Sequence, residues 1–453
     1  MDLKGKSVLV VGAGKSGIAV ASFLACKGAC PVLTDNKPVE AFNGSLDHLL
    51  KEGVKFSLGS YPEITRELFD IVIVSPGVPL TVPPVVIAKE KGIPVMGELE
   101  LAWRFCKAPV VAITGTNGKT TTTTLVGEIF KNAGYRTLVA GNIGTPLIEA
   151  VQQFGVEDMV VAEVSSFQLE TICTFRPRVG ALLNITPDHL DRHGTVQEYA
   201  RVKAGIFSNQ EPEDFAVINY DDPVTADLSL KGKGQVIFFS RRHNLERGVF
   251  VHGNKIAARL TGGEFIEILP VEEIAIPGAH NLENALAATA CGLAMGVKPE
   301  VIALTLREFP GVAHRLELVD EIDGVKYIND SKGTNPEASI KALEAYEAPI
   351  VLIAGGRNKG SDFSLLAGKI REKAKAVIIL GECAEDLARA VKNAGCSRVL
   401  MANGFREAVL LAHKEAGEGD IVLLSPACAS WDMFKNYEER GDLFKRVVHD
   451  LRG

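Results

Sequence analysis

The sequence predicts an α/β protein in three domains, each organised around a parallel sheet wound with helices on both faces. Three observations carry this expectation. Short β-rich apolar runs alternate with amphipathic stretches along most of the chain: Ser7–Val11, Ile71–Val74, Val110–Ile113, Met159–Val164, Ala181–Ile185, Ile350–Ile353, Ala376–Leu380 and Ile421–Leu424. Runs this continuously apolar are buried on both faces, as parallel strands covered by helices are. Two of them feed straight into glycine-rich turns followed by helical patterns, the strand–turn–helix junction of doubly wound sheets. Finally, 453 residues at roughly 150 per domain give about three domains.

Boundaries fall near Gly97–Ala108 and near Pro310–Gly311, giving domains 1–98, 99–311 and 312–453. Between about Phe215 and Glu273 the pattern changes to short strands with glycine turns, so the central domain should carry extra β structure. Hydrophobic residues are 46% and charged residues 23%, the balance of an ordinary globular protein. A net charge of −7 with no Lys/Arg run offers a polyanion backbone nothing to grip, which argues against nucleic acid as a partner. No apolar run reaches the roughly 18–20 residues of a membrane span, and the N-terminus has no small-residue cleavage site. The eight cysteines form no CxxC pair, and Cys26 and Cys30 lack downstream partners for zinc. Reduced thiols in a cytoplasmic protein, with no membrane partner, are expected.

In the first domain, Val8–Val11 runs into Gly12-Ala-Gly14-Lys15-Ser16-Gly17, and Asp35 ends the strand-like run Pro31–Thr34. This is a Rossmann-like fingerprint. A lone GxGxxG is weak evidence for a dinucleotide, because the same nest of backbone N–H groups holds any pyrophosphate.

The most informative segment lies in the second domain. A buried strand enters Gly115-Thr116-Asn117-Gly118-Lys119-Thr120, then a helix from about Thr121 to Ala133. Glycines let the backbone curl its N–H groups toward an anion, and the helix N-terminus adds a favourable dipole. Lys119 would neutralise the β- and γ-phosphates of ATP, and the Thr120 hydroxyl would ligate Mg²⁺. Ile113 stands where the general GxxxxGK[ST] pattern has its first glycine, so the loop is a shorter P-loop-type variant. Glu163 follows the strand Met159–Ala162, and a carboxylate at that end of a parallel strand beside a phosphate loop suits Mg²⁺. In the third domain Arg315 offers a planar fork of donors for phosphate. Asp330-Ser331-Lys332-Gly-Thr334-Asn-Pro is too particular a string for a surface turn: Asp330 could take ribose hydroxyls and Lys332 could stabilise a developing negative charge.

Thr114-Gly-Thr-Asn-Gly-Lys-Thr resembles the phosphate loop of the Mur ligase family, which also includes folylpolyglutamate synthases and cyanophycin synthetase. The resemblance runs along essentially the whole chain. It implies three domains: Rossmann-like, central ATPase with added β structure, and a Rossmann-like C-terminal domain. The implied activity joins a carboxylate to an amino-acid amine through an acyl phosphate, with water excluded when the domains close. At matching positions it implies metal ligation by Glu163 and by His189 of Asn184-Ile-Thr-Pro-Asp-His. A second Mg²⁺ would sit on His189 and on a carbamylated lysine at Lys203. It further implies Thr121 at the phosphates, Asn281 and Asn284 of His-Asn-x-x-Asn around adenine, and Asn142 and Ser165 on the substrate side. The segment Ser425-Pro-Ala-Cys-Ala-Ser430-Trp-Asp-Met-Phe-Lys-Asn-Tyr437 resembles the D-glutamate-adding branch. That branch would contact D-glutamate through Ser430, Tyr437, Thr334 and Lys359, with tyrosine here where phenylalanine is frequent. Its other substrate, UDP-N-acetylmuramoyl-L-alanine, would set its pyrophosphate on Gly14, Lys15 and Ser16. Asp35, Asn36, Lys37 and Ser75 are the nearby candidates. A monomer is expected.

Three other readings stay open on the sequence. A folylpolyglutamate synthase would need folate in place of a UDP-sugar. A nucleotide-regulated binding module would consume no ATP. A dehydrogenase would rest on the Gly12–Gly17 signal alone.

Overall fold

The computed structural model describes all of residues 1–453 except 43, 45, 229–231, 261–262, 359 and 453. The chain divides into two compact units, one of residues 1–273 and 283–307, the other of residues 274–282 and 308–453.

The first unit holds two sheets. The N-terminal sheet has β1 (Ser7–Val11), β2 (Cys30–Asp35), β3 (Lys55–Leu58), β4 (Ile71–Val74) and β5 (Val95–Gly97) in the order β3-β2-β1-β4-β5. All its pairings are parallel. The order reverses beside β1, so a crevice opens where β1 and β4 end, at Gly12 and Ser75.

The second sheet comprises β6 (Val110–Thr114), β7 (Thr137–Gly141), β8 (Met159–Glu163), β9 (Val179–Leu182), β10 (Phe215–Asn219), β11 (Gln235–Ser240), β12 (Gly248–His252), β13 (Lys255–Arg259) and β14 (Phe265–Pro270). Its order is β14-β13-β12-β11-β10-β9-β6-β8-β7. From β7 to β12 every pairing is parallel, while β12, β13 and β14 pair antiparallel through Gly-containing turns. The β structure expected between Phe215 and Glu273 therefore extends the central sheet itself. Central strand β6 is fully buried, because helices cover both faces and Val-Val-Ala-Ile-Thr offers no polar side. The chain leaves β6 for β8 and β7 on one side and later for β9 on the other, which makes its C-terminal end a second switch point.

The helix Glu98–Phe105 joins the two sheets and carries two buried acids. Glu100 accepts the N–H groups of Cys173, Thr174 and Phe175. Glu98, 1% exposed, accepts the Ile148 N–H at 2.8 Å, and burial pushes its carboxyl up from 4.5 to about 7. A carboxyl raised in the folded state contributes stability that is complete below the unfolded value and lost as pH rises through the folded one. Between pH 5 and pH 8 the wild type should therefore lose about 3 kcal/mol that Glu98→Gln keeps. Urea unfolding of both proteins at the two pH values checks this.

The second unit contains β15 (Glu317–Ile322), β16 (Val325–Asn329), β17 (Ile350–Gly355), β18 (Ala374–Leu380), β19 (Val399–Met401) and β20 (Ile421–Leu424), ordered β15-β16-β20-β17-β18-β19. Only β15 is antiparallel. The loops after β16, β20, β17 and β18 share one edge of this sheet. Among the described residues no helix is long and apolar enough to cross a membrane.

Candidate active site

The candidate phosphate loop, residues 115–120, is shaped by what its glycines permit. Gly118 caps the helix Lys119–Asn132 at φ 86°, the left-handed region, and a side chain there would collide with Asn284 Oδ1. Gly115, at φ 152°, lies so close to Leu183 that a Cβ would sit 3.0 Å from that side chain. Asn184 clamps the loop from the end of β9: its Oδ1 accepts the Asn117 N–H at 2.8 Å and its Nδ2 donates to Asn117 O at 3.1 Å. Thr116 is pinned too, with its hydroxyl 3.2 Å from Thr186 O and 3.3 Å from the Tyr199 hydroxyl. Lys119 folds back over the turn and donates to Gly115 O at 2.9 Å and Thr116 O at 2.7 Å. The helix begins two residues earlier than Thr121, which places Lys119 and Thr120 in its first turn. Thr120 and Thr121 are both buried, and the Thr121 hydroxyl has no partner.

Beside the loop, Glu163 ends β8 in register with Ile113 on β6 and Gly141 on β7. It is 2% exposed; Oε1 accepts the Asn142 amide at 3.0 Å, while Oε2 is buried with no hydrogen-bond partner. A buried carboxyl oxygen left without a hydrogen-bond partner is costly unless a cation meets it, so the donor chemistry fits a hard divalent ion.

Lys203 lies on the helix Val196–Ala204 and is 1% exposed. Its Nζ donates to Gly115 O at 2.9 Å and reaches the Thr114 hydroxyl at 3.3 Å, over the Tyr199 ring. Burial, then the charge of Lys119, holds its ammonium well below the ordinary 10.5. The amine is therefore packed against the phosphate loop, unlike a solvated surface lysine. His189 stands apart in character: it is half-exposed, takes a left-handed φ of 51°, and packs on Phe167 with ring centroids 4.8 Å apart. His193, one turn on, feels the charges of both His189 and Lys203. No group of three His, Cys, Asp or Glu side chains gathers for a metal among the described residues.

At the N-terminal crevice the strand-end residues are also tied to one another. Gly12 and Gly17 are the sterically required glycines, whereas Gly14 is extended with open space where a Cβ would point. Asp35 turns inward: Oδ2 accepts the Ala13 N–H at 2.8 Å and Oδ1 the Lys37 N–H at 3.0 Å. It braces the glycine turn. Ser75 is buried and donates to Gly12 O at 2.9 Å, bracing the same turn from β4. Lys15 and Ser16 open the helix Lys15–Cys26, and Lys15 reaches Gly144 O beside the central sheet. Asn36 and Lys37 are exposed at the strand end. Ser165 caps the helix Ser166–Leu169 in a capping box with Gln168.

Asn284 belongs to the same unit and sits against the phosphate loop, accepting from the Thr122 hydroxyl at 3.3 Å. In the second unit Asn281 donates to Pro277 O at 2.7 Å. Also there, Asp330 is buried, accepts the Ser425 hydroxyl at 2.7 Å, and is raised by burial to about 7. Lys332 lies over the Tyr437 ring at 5.6 Å, and the Ser331 hydroxyl donates to Tyr437 O at 2.8 Å. Arg440, 1% exposed, ties these loops: it donates to Ser331 O at 2.8 Å and to Cys428 O at 3.2 Å. Ser430 is buried on the loop after β20, and Thr334 N donates to Lys332 O at 2.9 Å. His314 and Leu316 flank Arg315 with left-handed φ of 62° and 46°, backbone that ordinary side chains disfavour. Lys359 lies outside the described residues.

Sequence reasoning missed Asn184, Tyr199 and Arg440. Asn184 stands in the same string as His189, but nothing in a sequence says which loop an amide will clamp.

A glycine cradle at a sheet switch point, a lysine over it and a bare buried carboxylate beside it define a nucleoside-triphosphate-using enzyme. The chain belongs to the Mur ligase family. Residues 6–97 match the Mur ligase MurD-like N-terminal domain, 113–292 the Mur ligase middle domain, and 314–428 the Mur ligase glutamate ligase domain. It is an ATP-dependent ligase of the amide-bond-forming kind. The UDP-N-acetylmuramoylalanine--D-glutamate ligase of Pelotomaculum thermopropionicum is 60% identical over 451 residues, covering 100% of this chain and 99% of that one. The enzyme of the same name from a Thermoanaerobacter species is 49% identical over 454 residues, covering 100% of both. Among solved structures, the UDP-N-acetylmuramate-alanine ligase MurC of Thermotoga maritima shares the fold at a TM-score of 0.61 and 19% identity, over 98% of this chain and 100% of that one. The MurF ligase of Thermotoga maritima in complex with ADP does so at 0.60 and 16%, over 93% and 96%.

Proposed function

We propose that this chain joins the terminal carboxylate of UDP-N-acetylmuramoyl-L-alanine to the amine of D-glutamate, cleaving ATP to ADP and phosphate, in peptidoglycan precursor synthesis. The observation that carries the reading is the end-to-end identity with D-glutamate ligases, 60% and 49%, over both sheets of the first unit and the whole of the second. The meeting of Lys332 with Tyr437 supports it, since it gathers a cation and a ring where the amino acid would bind.

In this reading the substrate carboxylate attacks the γ-phosphate of ATP held on residues 115–121. Two anions must approach, so Lys119 offsets charge at the phosphates. Bound Mg²⁺ would supply further screening, held by Thr120 and Glu163. A second ion would be held by His189 and a carbamylated Lys203. The acyl phosphate then meets the D-glutamate amine, and Lys332 steadies the charge on the tetrahedral oxygen as the amide forms. Asn281, Asn284, Arg315 and Asp330 serve the nucleotide. Thr334, Lys359, Ser430 and Tyr437 hold D-glutamate. Gly14, Lys15 and Ser16 take the UDP pyrophosphate, with Asp35, Asn36 and Lys37 beside them for uracil or phosphate and Ser75 at the neighbouring strand end. Asn142 lies on the nucleotide and substrate side, and Ser165 on the substrate side. Three domains, 1–98, 99–311 and 312–453, divide this work in a cytoplasmic monomer that needs neither nucleic acid nor membrane.

ADP formation against a panel of amino acids tests the substrates. Turnover should require both the UDP-linked carboxylate and D-glutamate. Equal rates with L-glutamate or meso-diaminopimelate would overturn the substrate reading and leave the ligase class standing.

A further inference from the structure

Two cysteines far apart in sequence meet in the second unit. Cys383 follows β18 and Cys428 follows β20, on either side of β17. Both are buried, and their sulfurs are 3.2 Å apart. The glycine pair after β17 makes the meeting possible: side chains at Gly355 or Gly356 would collide with Leu380 O or Ala429 O, so only bare backbone lets the flanking loops close over it. Backbone bonds then fix both loops to that pair. Cys383 N donates to Gly356 O at 2.9 Å, Gly355 N to Pro426 O at 2.9 Å, and Ala429 N to Arg357 O at 3.0 Å.

We propose that Cys383 and Cys428 are a redox modification site: a peroxide converts them to a disulfide that loosens the amino-acid pocket. This rests on the reading of Ser430 as a D-glutamate contact only for its kinetic consequence. Closing the sulfurs to ~2.05 Å asks each to move by about half an ångström. The Cys383 thiolate attacks one peroxide oxygen, the O–O bond breaks and hydroxide leaves, giving a sulfenic acid. The Cys428 sulfur then attacks the Cys383 sulfur, the S–O bond breaks, and the departing hydroxide takes the thiol proton. Two thiols and one hydrogen peroxide become one disulfide and two waters. The two thiols share a hydrogen bond that either sulfur can donate; Cys383, 5% exposed against 1% for Cys428, is the more open to peroxide, which assigns first attack to it.

The bond would be felt next door. Ser430 is two residues beyond Cys428. Ala427, just before it, already holds a left-handed φ of 61°, and Arg440 grips Cys428 O at 3.2 Å. A displacement of Cys428 has little slack to absorb it before reaching Ser430.

The test treats the full chain with hydrogen peroxide, then maps peptides by mass without reduction and measures KM for each substrate. A Cys383–Cys428 cross-linked peptide is expected, with KM for D-glutamate raised about tenfold, KM for ATP unchanged, and recovery on dithiothreitol. Cys383→Ala should keep its basal activity and lose the response. Both thiols remaining free, sulfinic acid in place of the cross-link, or a cross-linked enzyme with unaltered kinetics would overturn the proposal. If another amino acid proves to be the substrate, the mass map still decides whether the bond forms, so the two failures are separable.

Discussion

Lys119→Ala should lower turnover by about a thousandfold, the scale for losing one preorganised charge at a developing anion. The reaction drives a carboxylate into a triphosphate, and Lys119 is the cation built into the turn that would bind the phosphates. In the structure it already lies across that turn, bonded to Gly115 O and Thr116 O, so a bound phosphate need only replace carbonyl oxygens with stronger acceptors. Those bonds are only partly buried and Gly115 O keeps Lys203 as a second donor, so their loss should shift thermal unfolding far less than turnover. ADP release by the variant within tenfold of wild type would show that the loop is not where the phosphates sit.

The second large effect is at Lys203. Burying an ammonium is costly, this one faces Lys119 as well, and the two together outweigh the opposing pull of Asp188 and Glu163. The neutral amine is the form that adds CO₂, giving a carbamate and releasing a proton, and a carbamate turns a repelling cation into an anionic metal ligand. Lys203→Ala should therefore cost about a hundredfold or more in turnover, of the order seen when a metal's electrostatic support is removed. Lys203→Arg separates the explanations, since it keeps a positive charge and cannot form a carbamate. Full activity in that variant, or no ¹³C carbamate resonance in wild type supplied with labelled bicarbonate, would refute the carbamate. Retained turnover in Lys203→Ala would remove Lys203 from the mechanism altogether.

The elements legible in the sequence are those set by local pattern. Buried strands such as Ser7–Val11, Ile71–Val74 and Ile421–Leu424 fall where their apolar runs do, because a parallel strand covered on both faces must be apolar throughout. Where a polar residue begins or ends a strand the bounds move: β9 is Val179–Leu182 where Ala181–Ile185 was expected, since Asn184 leaves the ladder to clamp Asn117. The strand, glycine turn and helix around residues 115–120 were legible because glycines and a lysine at fixed spacing have few other uses. What a side chain touches across the fold was not. Asp35 and Ser75 look like ligand contacts from their strand-end positions, and nothing in the sequence says that they also brace the Gly12 turn. The bare oxygen of Glu163 and the Cys383–Cys428 contact, 45 residues apart, exist only once separate strands are brought side by side.

On this reading the chain activates a carboxylate as an acyl phosphate on the 115–120 turn. The most direct measurement supplies UDP-N-acetylmuramoyl-L-alanine with ¹⁸O in its terminal carboxylate, together with ATP and D-glutamate, and weighs the released phosphate. One ¹⁸O per phosphate, matched by one ADP and one amide, is the result expected. Phosphate carrying no label would mean that the carboxylate never bonded to phosphorus, and the account would fail.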